Sequence, residues 1–292
     1  MNDHRQANSR CWICGGQSLT KVKDSSLSKP SAQSFRITDS SYGVTAAIFR
    51  CEECSFLQCP ELNDVVRFYE QMDDAEYEKT RSERGIQARK ILECLAGYRP
   101  SGKLLDIGSG AGILVEQALG LGYDARGVDP SRWLQARAQE RGLPVTLGVF
   151  PHPEIVGPFD LITVIDVLEH VEDPMRLLQD VRAHLSKDGL AVIVTPDVQS
   201  VAARLLGFRW WHYRMAHIGY FSRTTLTNAL RRAGLIPKSF QRPSWYFPAS
   251  YLVERVGVYL PRPLRLRVPG FLSTLLVPLN LRDSMLVVAQ AK

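Results

Sequence analysis

The alternation of apolar and polar positions between residues 100 and 200 predicts repeated pairs of a buried strand and a helix. Continuous apolar runs of strand length occur in KLLDIG, PVTLGVF, DLITVID and LAVIVTP, and ARGVD is a further short strand. Helical stretches lie between them, with ILVEQALGLG ending at Gly120 and Gly122, and SRWLQARAQERG ending at Gly142. Repeated strand–helix units predict a doubly wound α/β fold, in which helices cover both faces of a mostly parallel sheet.

The pattern divides the chain into three parts. We expect a cysteine-bearing module over residues 1–62 and the α/β domain over residues 63–240. Residues 241–292 form a basic, aromatic-rich segment that we expect to complete the α/β domain. The run MLVVAQAK at the end of this segment predicts a final strand at the edge of the sheet.

Four cysteines form two pairs near the start of the chain. Cys11 and Cys14 occur in CWIC, and Cys51 and Cys54 occur in CEEC, so each pair has the C-x2-C spacing. Two such pairs can supply the four thiolates of a structural zinc site. The 36 residues between the pairs imply an inserted hairpin or loop. We therefore expect a zinc-ribbon-like module with one structural zinc ion; the alternative is four unrelated buried cysteines.

The stretch LLDIGSGAGILVE, residues 104–116, joins a strand to a helix through a glycine-rich turn, an arrangement that binds adenosine-containing cofactors. The turn lacks the glycine spacing of a dinucleotide site and the lysine of a phosphate loop. Asp106 stands two residues before Gly108, where a carboxylate would repel a pyrophosphate but suit a ligand with an ammonium group. Asp129, which ends the next strand, can accept hydrogen bonds from both ribose hydroxyls. These features favour S-adenosylmethionine over NAD.

Four separated motifs also make the chain resemble a known family. Residues 106–112, Asp129, DVLEHVEDP and HLSKDGLAVIVTP occur in the order seen in class I S-adenosylmethionine-dependent methyltransferases. The subgroup is the one that contains ubiquinone-biosynthesis O-methyltransferases and sugar-modifying methyltransferases. The resemblance covers about residues 85–240 and implies a Rossmann-like sheet of seven strands. It also implies that the cofactor contacts Asp106, Gly108, Ser109, Gly110, Asp129, Phe150, Ile165, Asp166 and Val167.

Two histidines are candidates for the base that takes a proton from the methyl acceptor. His170 follows the fourth strand, at the carboxyl edge of the sheet where ligands bind. His217 lies in MAHIGYFS, which resembles the H-x-x-x-F-S segment of zinc-ribbon-bearing sugar methyltransferases, where the histidine serves as base. Those enzymes have a glutamate immediately before this histidine, whereas the present chain has Ala216. The alternative is that both histidines are structural.

Charge is distributed unevenly along the chain. The first 198 residues carry 22 Lys and Arg against 28 Asp and Glu, whereas residues 199–292 carry 14 against 2. The last third therefore has a net charge of +12 and can face an anionic partner. Residues 242–281 interleave arginine with aromatic and leucine side chains, which is typical of a segment that lies on a membrane surface. A solvated basic surface or a lid over the substrate is the alternative.

These observations predict methyl transfer to oxygen or carbon of a small-molecule, glycan or lipid-linked acceptor. The alternative is an RNA methyltransferase, since a four-cysteine module also precedes such domains. Nucleic acid is the less expected partner because no Asn/Asp-Pro-Pro-Tyr/Phe motif follows the fourth strand. The start of the chain is polar, and no run of about 18 apolar residues occurs. We therefore expect a cytoplasmic protein with peripheral contact at the membrane.

Overall fold

The structure, a computed structural model, describes residues 10–26, 30–258, 270–273 and 275–292. In chain order, the strands are β1 (Leu19–Lys23), β2 (Ile48–Cys51), β3 (Leu57–Gln58), β4 (Lys103–Ile107), β5 (Asp124–Asp129), β6 (Val145–Leu147), β7 (Phe159–Ile165), β8 (Leu185–Pro196), β9 (Gly219–Tyr220), β10 (Leu235–Gln241), β11 (Trp245–Pro248), β12 (Leu276–Leu279) and β13 (Ser284–Ala291). The α-helices are α1 (Val66–Gln71), α2 (Ala75–Lys79), α3 (Arg81–Ala96), α4 (Ile113–Gly120), α5 (Arg132–Glu140), α6 (Pro174–His184), α7 (Val201–Leu206), α8 (Arg223–Arg232) and α9 (Ala249–Val258).

Seven strands form the central sheet, in the spatial order β10-β13-β8-β7-β4-β5-β6. The five strands from β8 to β6 pair in parallel, and β13 is antiparallel to both of its neighbours. This arrangement confirms the predicted doubly wound, mostly parallel sheet.

One prediction about this sheet is wrong. The last strand, β13, is not at the edge but lies between β8 and β10, and β10 is the edge strand. The physical reason is burial on both faces, because every residue from Ser284 to Ala289 is buried. A continuous apolar run such as MLVVA is typical of an internal strand.

Helices pack on both faces of the sheet and form its core. On one face, Leu178 of α6 and Leu230 of α8 are fully buried; on the other, Leu92 of α3 is fully buried. Replacing one such leucine by alanine typically costs about 2–5 kcal/mol. The core thus fixes the carboxyl edge of the sheet, where the candidate site lies.

A smaller antiparallel sheet has the order β1-β2-β3-β9. The pair β1–β2 accounts for the hairpin expected between the two cysteine pairs. Strand β9 comes from a distant part of the chain, after residue 218, and pairs with β3. The cysteine module and the α/β domain therefore share a sheet.

The last third adds a two-stranded antiparallel ribbon, β11–β12, and helix α9 beside the central sheet. The arginines of the predicted membrane-facing segment at positions 262, 265 and 267 lie outside the described residues. Among the described helices, none has the length and apolar character required to cross a bilayer.

Candidate functional site

The glycine-rich turn between β4 and α4 has the backbone conformation that only glycine adopts readily. Gly108, Gly110 and Gly112 have φ values of +69°, +55° and +72°. A Cβ atom at Gly108 would lie 2.4 Å from a methyl group of Val167, and one at Gly110 would lie 2.9 Å from the hydroxyl of Tyr77. The turn therefore needs glycine for both conformation and space, and it leaves its backbone open to a ligand.

Two buried carboxylates flank this turn. Asp129 accepts hydrogen bonds from the backbone amides of Gly110 (2.7 Å) and Ser131 (2.9 Å). Asp106 accepts a hydrogen bond from Thr163 Oγ1 at 2.6 Å. Burial raises the pKa of Asp106 to about 7 and that of Asp129 to about 6. Because burial penalises the ionised forms, a ligand with an ammonium group and hydroxyl donors would stabilise them. The donor and acceptor chemistry of the turn therefore fits S-adenosylmethionine.

A cavity of about 1120 Å³ opens in front of the turn. Its lining contains every residue that the sequence predicts at the cofactor and both candidate histidines: Asp106, Gly108, Ser109, Gly110, Asp129, Phe150, Ile165, Asp166, Val167, His170 and His217. Ligand pockets commonly measure about 300–1,000 Å³, so this cavity has room for a cofactor and an acceptor together. Asp166 follows β7 with a φ of +50°, an uncommon conformation for a residue other than glycine.

The two candidate histidines are neighbours within this cavity. The rings of His170 and His217 meet edge to face, with 4.7 Å between their centroids. Nδ1 of His170 lies 2.6 Å from the hydroxyl oxygen of Tyr69 and 2.8 Å from the carbonyl oxygen of Ala216. His170 is thus held through Nδ1, whereas Nδ1 of His217 is buried without a hydrogen-bond partner among the described residues.

Glu169 completes this cluster. Its Oε2 accepts a hydrogen bond from Thr195 Oγ1 at 3.0 Å, and its Oε1 is buried without a partner among the described residues. Metal-ligand-type atoms of Glu169, His170 and His217 lie within 4.8 Å of one another. The family resemblance predicts a carboxylate at position 216, but the residue there is Ala216, which is fully buried. Glu169 brings a carboxyl group to His217 from a different part of the chain.

Electrostatics keeps the members of this cluster uncharged. Burial and the nearby Asp166 raise the pKa of Glu169 well above its ordinary value. Burial and the neighbouring His170 lower the pKa of His217 well below its ordinary value, and burial lowers that of His170 to about 3. These shifts favour the neutral carboxylic acid of Glu169, and each neutral imidazole has one nitrogen with a free lone pair.

Sequence reasoning missed a second polar pair at the site. His212 lines the cavity, and its Nε2 lies 3.5 Å from Oδ2 of Asp283, which also accepts a hydrogen bond from Trp210 Nε1. Burial acts to raise the pKa of Asp283, but the hydrogen bond and charge of His212 outweigh it and hold the pKa below its ordinary value. Composition could have pointed to Asp283, since it is one of only 2 acidic residues in the basic last third, residues 199–292. The ring of His212 stacks on that of His217 at 5.5 Å.

The four predicted zinc ligands also lie together. The Sγ atoms of Cys11 and Cys54 are 3.5 Å apart, as are those of Cys14 and Cys51, and all four lie within 4.8 Å of one another. Zinc–sulfur bonds of about 2.3 Å in a tetrahedron place sulfur atoms about 3.8 Å apart. The arrangement of the thiols therefore suits a four-thiolate zinc site. Cys59 and Cys94 take no part in the cluster.

Comparisons with known proteins identify the fold and its chemistry. The family described as "Methyltransferase domain" matches residues 77–236, more than half of the chain. The ubiquinone biosynthesis O-methyltransferase of Cereibacter sphaeroides is 32% identical over 167 residues, which cover 51% of this chain and 68% of that protein. That of a Caulobacter species is 33% identical over 101 residues, which cover 32% of this chain and 40% of that protein. The chain spans less than half the length of several of these curated relatives.

A solved structure shares the fold. Magnesium protoporphyrin IX methyltransferase from Synechocystis PCC 6803, with bound S-adenosylhomocysteine, superposes with a TM-score of 0.50. It is 13% identical in sequence, and the match covers 76% of this chain and 89% of that one.

Proposed function

The chain belongs to the class I S-adenosylmethionine-dependent methyltransferases, and we propose that it methylates a hydroxyl group of a small-molecule acceptor. The observation that carries this proposal is the position of His217. Its Nδ1, which has no hydrogen-bond partner in the described part of the chain, and the cofactor turn belong to residues that line one cavity. Relatives named as O-methyltransferases support oxygen as the atom that is methylated.

The cofactor site is assigned to the glycine-rich turn and its two carboxylates. We expect Asp129 to accept hydrogen bonds from ribose hydroxyls, and Asp106 to face the ammonium end of the ligand. Phe150, Ile165 and Val167 supply apolar lining. Bound there, S-adenosylmethionine supplies a methyl group on a positively charged sulfur, so the carbon needs no further activation. Holding donor and acceptor in line can contribute about 7–11 kcal/mol to catalysis.

His217 is the proposed general base. The acceptor hydroxyl would donate a hydrogen bond to His217 Nδ1, and this nitrogen would take the proton as the oxygen receives the methyl group; the methyl carbon–sulfur bond breaks and neutral S-adenosylhomocysteine leaves. Release of the Glu169 proton to solvent through the open cavity would then leave a carboxylate that stabilises the imidazolium. A positioned base contributes about 10²–10⁴-fold. His170, fixed through Nδ1 by Tyr69 and the Ala216 carbonyl, orients the His217 ring from its edge.

The acceptor half of the cavity favours a molecule with an apolar or aromatic portion. Side chains of the β11–β12 ribbon and α9 line it: Trp245, Tyr246, Phe247, Tyr251, Leu252 and Leu279. Aromatic side chains can stack on a ring or pack against a lipid chain. A small aromatic or lipid-linked hydroxyl compound is therefore the proposed acceptor class. The relatives do not favour the RNA alternative.

Peripheral contact with an anionic membrane is a second part of the proposal. Large apolar side chains are exposed on α7 and in the last third, including Leu205 (81% exposed), Val201 (72%), Phe271 (71%) and Val256 (60%). Val256 also lines the cavity, so a lipid-linked acceptor could enter from such a surface. The net charge of +12 in residues 199–292 supports attraction to anionic lipid.

The function is tested by product formation. The protein is incubated with S-adenosylmethionine and separate panels of catechols and phenols, sugar nucleotides, bacterial lipid extract and ribosomal RNA, and S-adenosylhomocysteine is measured by mass spectrometry. We expect turnover with a hydroxyl compound from the first or third panel and its loss in His217→Asn. Turnover with RNA alone would contradict the proposal.

A further inference from the structure

The residue that follows His217 is held from both sides by backbone hydrogen bonds. The carbonyl oxygen of Ile218 accepts a hydrogen bond from the amide of Cys59 at 2.8 Å. The amide of Ile218 donates to the carbonyl oxygen of Glu169, also at 2.8 Å. Ile218 therefore links the cysteine module to the very glutamate whose side chain approaches His217.

This link continues into a short sheet. In β9, Gly219 is paired with Gln58 of β3, and Tyr220 is paired with Leu57. Close packing supports the pairing, because a Cβ atom at Gly219 would lie 3.2 Å from the ring of Phe56. The strand that starts two residues after His217 is thus the outer strand of the cysteine module's sheet.

The side chain of Gln58 connects this sheet to the first cysteine pair. It is fully buried, its Oε1 accepts a hydrogen bond from the amide of Trp12 at 2.8 Å, and its Nε2 donates to the carbonyl oxygen of Arg10 at 2.9 Å. Trp12 and Arg10 are the two neighbours of Cys11. One side chain therefore binds both sides of a candidate zinc ligand, while its own backbone lies in the strand that holds β9.

A buried amide with both of its ends satisfied has a single stable orientation. If Cys11 moved, the backbone on both sides of it would move, and Gln58 would lose both partners inside the protein. Leaving such buried groups unpaired destabilises the arrangement that lacks their partners. The position of Cys11 and the position of β3 are thereby coupled.

We infer that Gln58 is a positioning residue of the acceptor site. It couples the position of the four clustered cysteines to that of His217 through β3 and Ile218. The inference rests on the proposed role of His217. It assigns the cysteine module a task in catalysis: the module holds the loop of the base against Glu169. Zinc, for which the four thiols are suited, would act on the acceptor site through this side chain and strand, and the contact between the rings of Phe56 and Phe221 at 4.9 Å supports the same connection.

The test compares Gln58→Met, which keeps the length of the side chain but loses both hydrogen bonds, with Gln17→Met, an exposed glutamine of the same module. Three quantities are measured on the full chain: zinc content, S-adenosylhomocysteine affinity by calorimetry, and amide hydrogen exchange by mass spectrometry. We expect Gln58→Met to keep its zinc and its affinity but to exchange at least tenfold faster over residues 216–221. Exchange over residues 104–107 of β4 should not change, and Gln17→Met should match the parent protein.

A second readout follows the base itself. In protein labelled with 15N-histidine, Gln58→Met should shift the ring resonances of His217 and leave those of His152, which follows the edge strand β6, in place. Unchanged exchange and unchanged His217 resonances in a zinc-loaded Gln58→Met protein would overturn the inference. Full methyl transfer by His217→Asn would instead overturn the proposed function and leave the exchange result standing.

If Gln58→Met does not fold, the parent protein is stripped of zinc with a chelator. We expect residues 216–221 to lose protection while S-adenosylhomocysteine still binds. Persistent protection of these residues after zinc has gone would overturn the inference. Loss of both cofactor binding and the protection of residues 216–221 would also overturn the inference, because the cofactor site and these residues would then unfold as one unit.

Discussion

An oxygen atom of the Glu169 carboxyl group and a ring nitrogen of His217 lie within 4.8 Å of each other. Glu169 Oε1 and His217 Nδ1 both lack a hydrogen-bond partner among the described residues. The two residues are 48 positions apart in the chain. We expect an acceptor hydroxyl bound beside these two side chains to hydrogen-bond with at least one of the two atoms. Their relationship explains how a histidine preceded by Ala216 can still have an acidic partner.

Substitution at either residue should slow methyl transfer without weakening the binding of the cofactor. His217→Asn removes the proton acceptor, so we expect kcat to fall about 10²–10⁴-fold. Glu169→Gln keeps the shape of the side chain but cannot ionise, so we expect a smaller fall. Turnover is followed by S-adenosylhomocysteine release, and affinity by calorimetry. His152→Asn is the control, and normal turnover in His217→Asn would remove it as the base.

Cofactor affinity should depend on pH through Asp129. Because its pKa is raised to about 6, the carboxylate needed for ribose binding becomes protonated below that pH. We expect the S-adenosylhomocysteine affinity measured by calorimetry to fall about tenfold for each pH unit below about 6. Asp129→Asn should bind more weakly, by about 1.5–3 kcal/mol, and should lose the part of the pH dependence that begins near pH 6, whereas the part that comes from Asp106 near pH 7 should remain. Asp124→Asn, at the exposed start of the same strand, is the control.

The same carboxylates predict how the stability of the cofactor-free protein changes with pH. The pKa values of Asp106 and Asp129 are raised on folding, to about 7 and about 6, so the folded state binds more protons than the unfolded state. Their contribution is fully present below pH 4 and is lost as pH rises through about 6 to 7. In the double variant Asp106→Asn/Asp129→Asn, the free energy of unfolding measured with urea should therefore no longer decline as pH rises. An unchanged pH profile would contradict the burial-raised pKa values.

Sequence patterns predicted the local features of this site well. The glycine turn, Asp129 and the strand–helix alternation depend on neighbouring residues and on periodicity. The structure confirms the alternation, and the turn and Asp129 line the cavity. The approach of Glu169 to His217 and the pairing of His212 with Asp283 could not be predicted, because each joins residues far apart in the chain. The position of β13 inside the sheet was readable from its continuous apolar run.

Zinc content separates the cysteine cluster from the histidine cluster. We expect one zinc ion per chain, no metal at the active site, and complete loss of zinc in Cys54→Ser. Cys94→Ser alters an exposed cysteine outside the cluster and should keep the metal. Chelation should lower the melting temperature because the thiols lose the ion that joins them. Elemental analysis that finds zinc retained in Cys54→Ser would point to a different site.

Membrane contact is the prediction in which charge and exposed apolar surface act together. Each basic residue near an anionic bilayer contributes about 1 kcal/mol, so replacing three arginines by glutamine should cost about 3 kcal/mol. The arginines to be replaced together are Arg262, Arg265 and Arg267. Flotation with vesicles of anionic and neutral phospholipid should show binding that weakens as salt rises, and the triple variant should lose most of it. S-adenosylhomocysteine affinity should stay unchanged.

A separate substitution distinguishes a bilayer from other anionic partners. Leu205→Gln and Phe271→Gln remove exposed apolar side chains and leave the charge unchanged. A membrane surface buries such side chains, so their loss should weaken vesicle binding at every salt concentration. RNA affinity should depend on the arginines but should change little when these two apolar side chains are replaced. A gel-shift assay on the same preparations measures RNA affinity. Tight RNA binding with no vesicle binding would contradict the membrane proposal, and binding to neither would leave the aromatic ribbon as a lid over a freely diffusing acceptor.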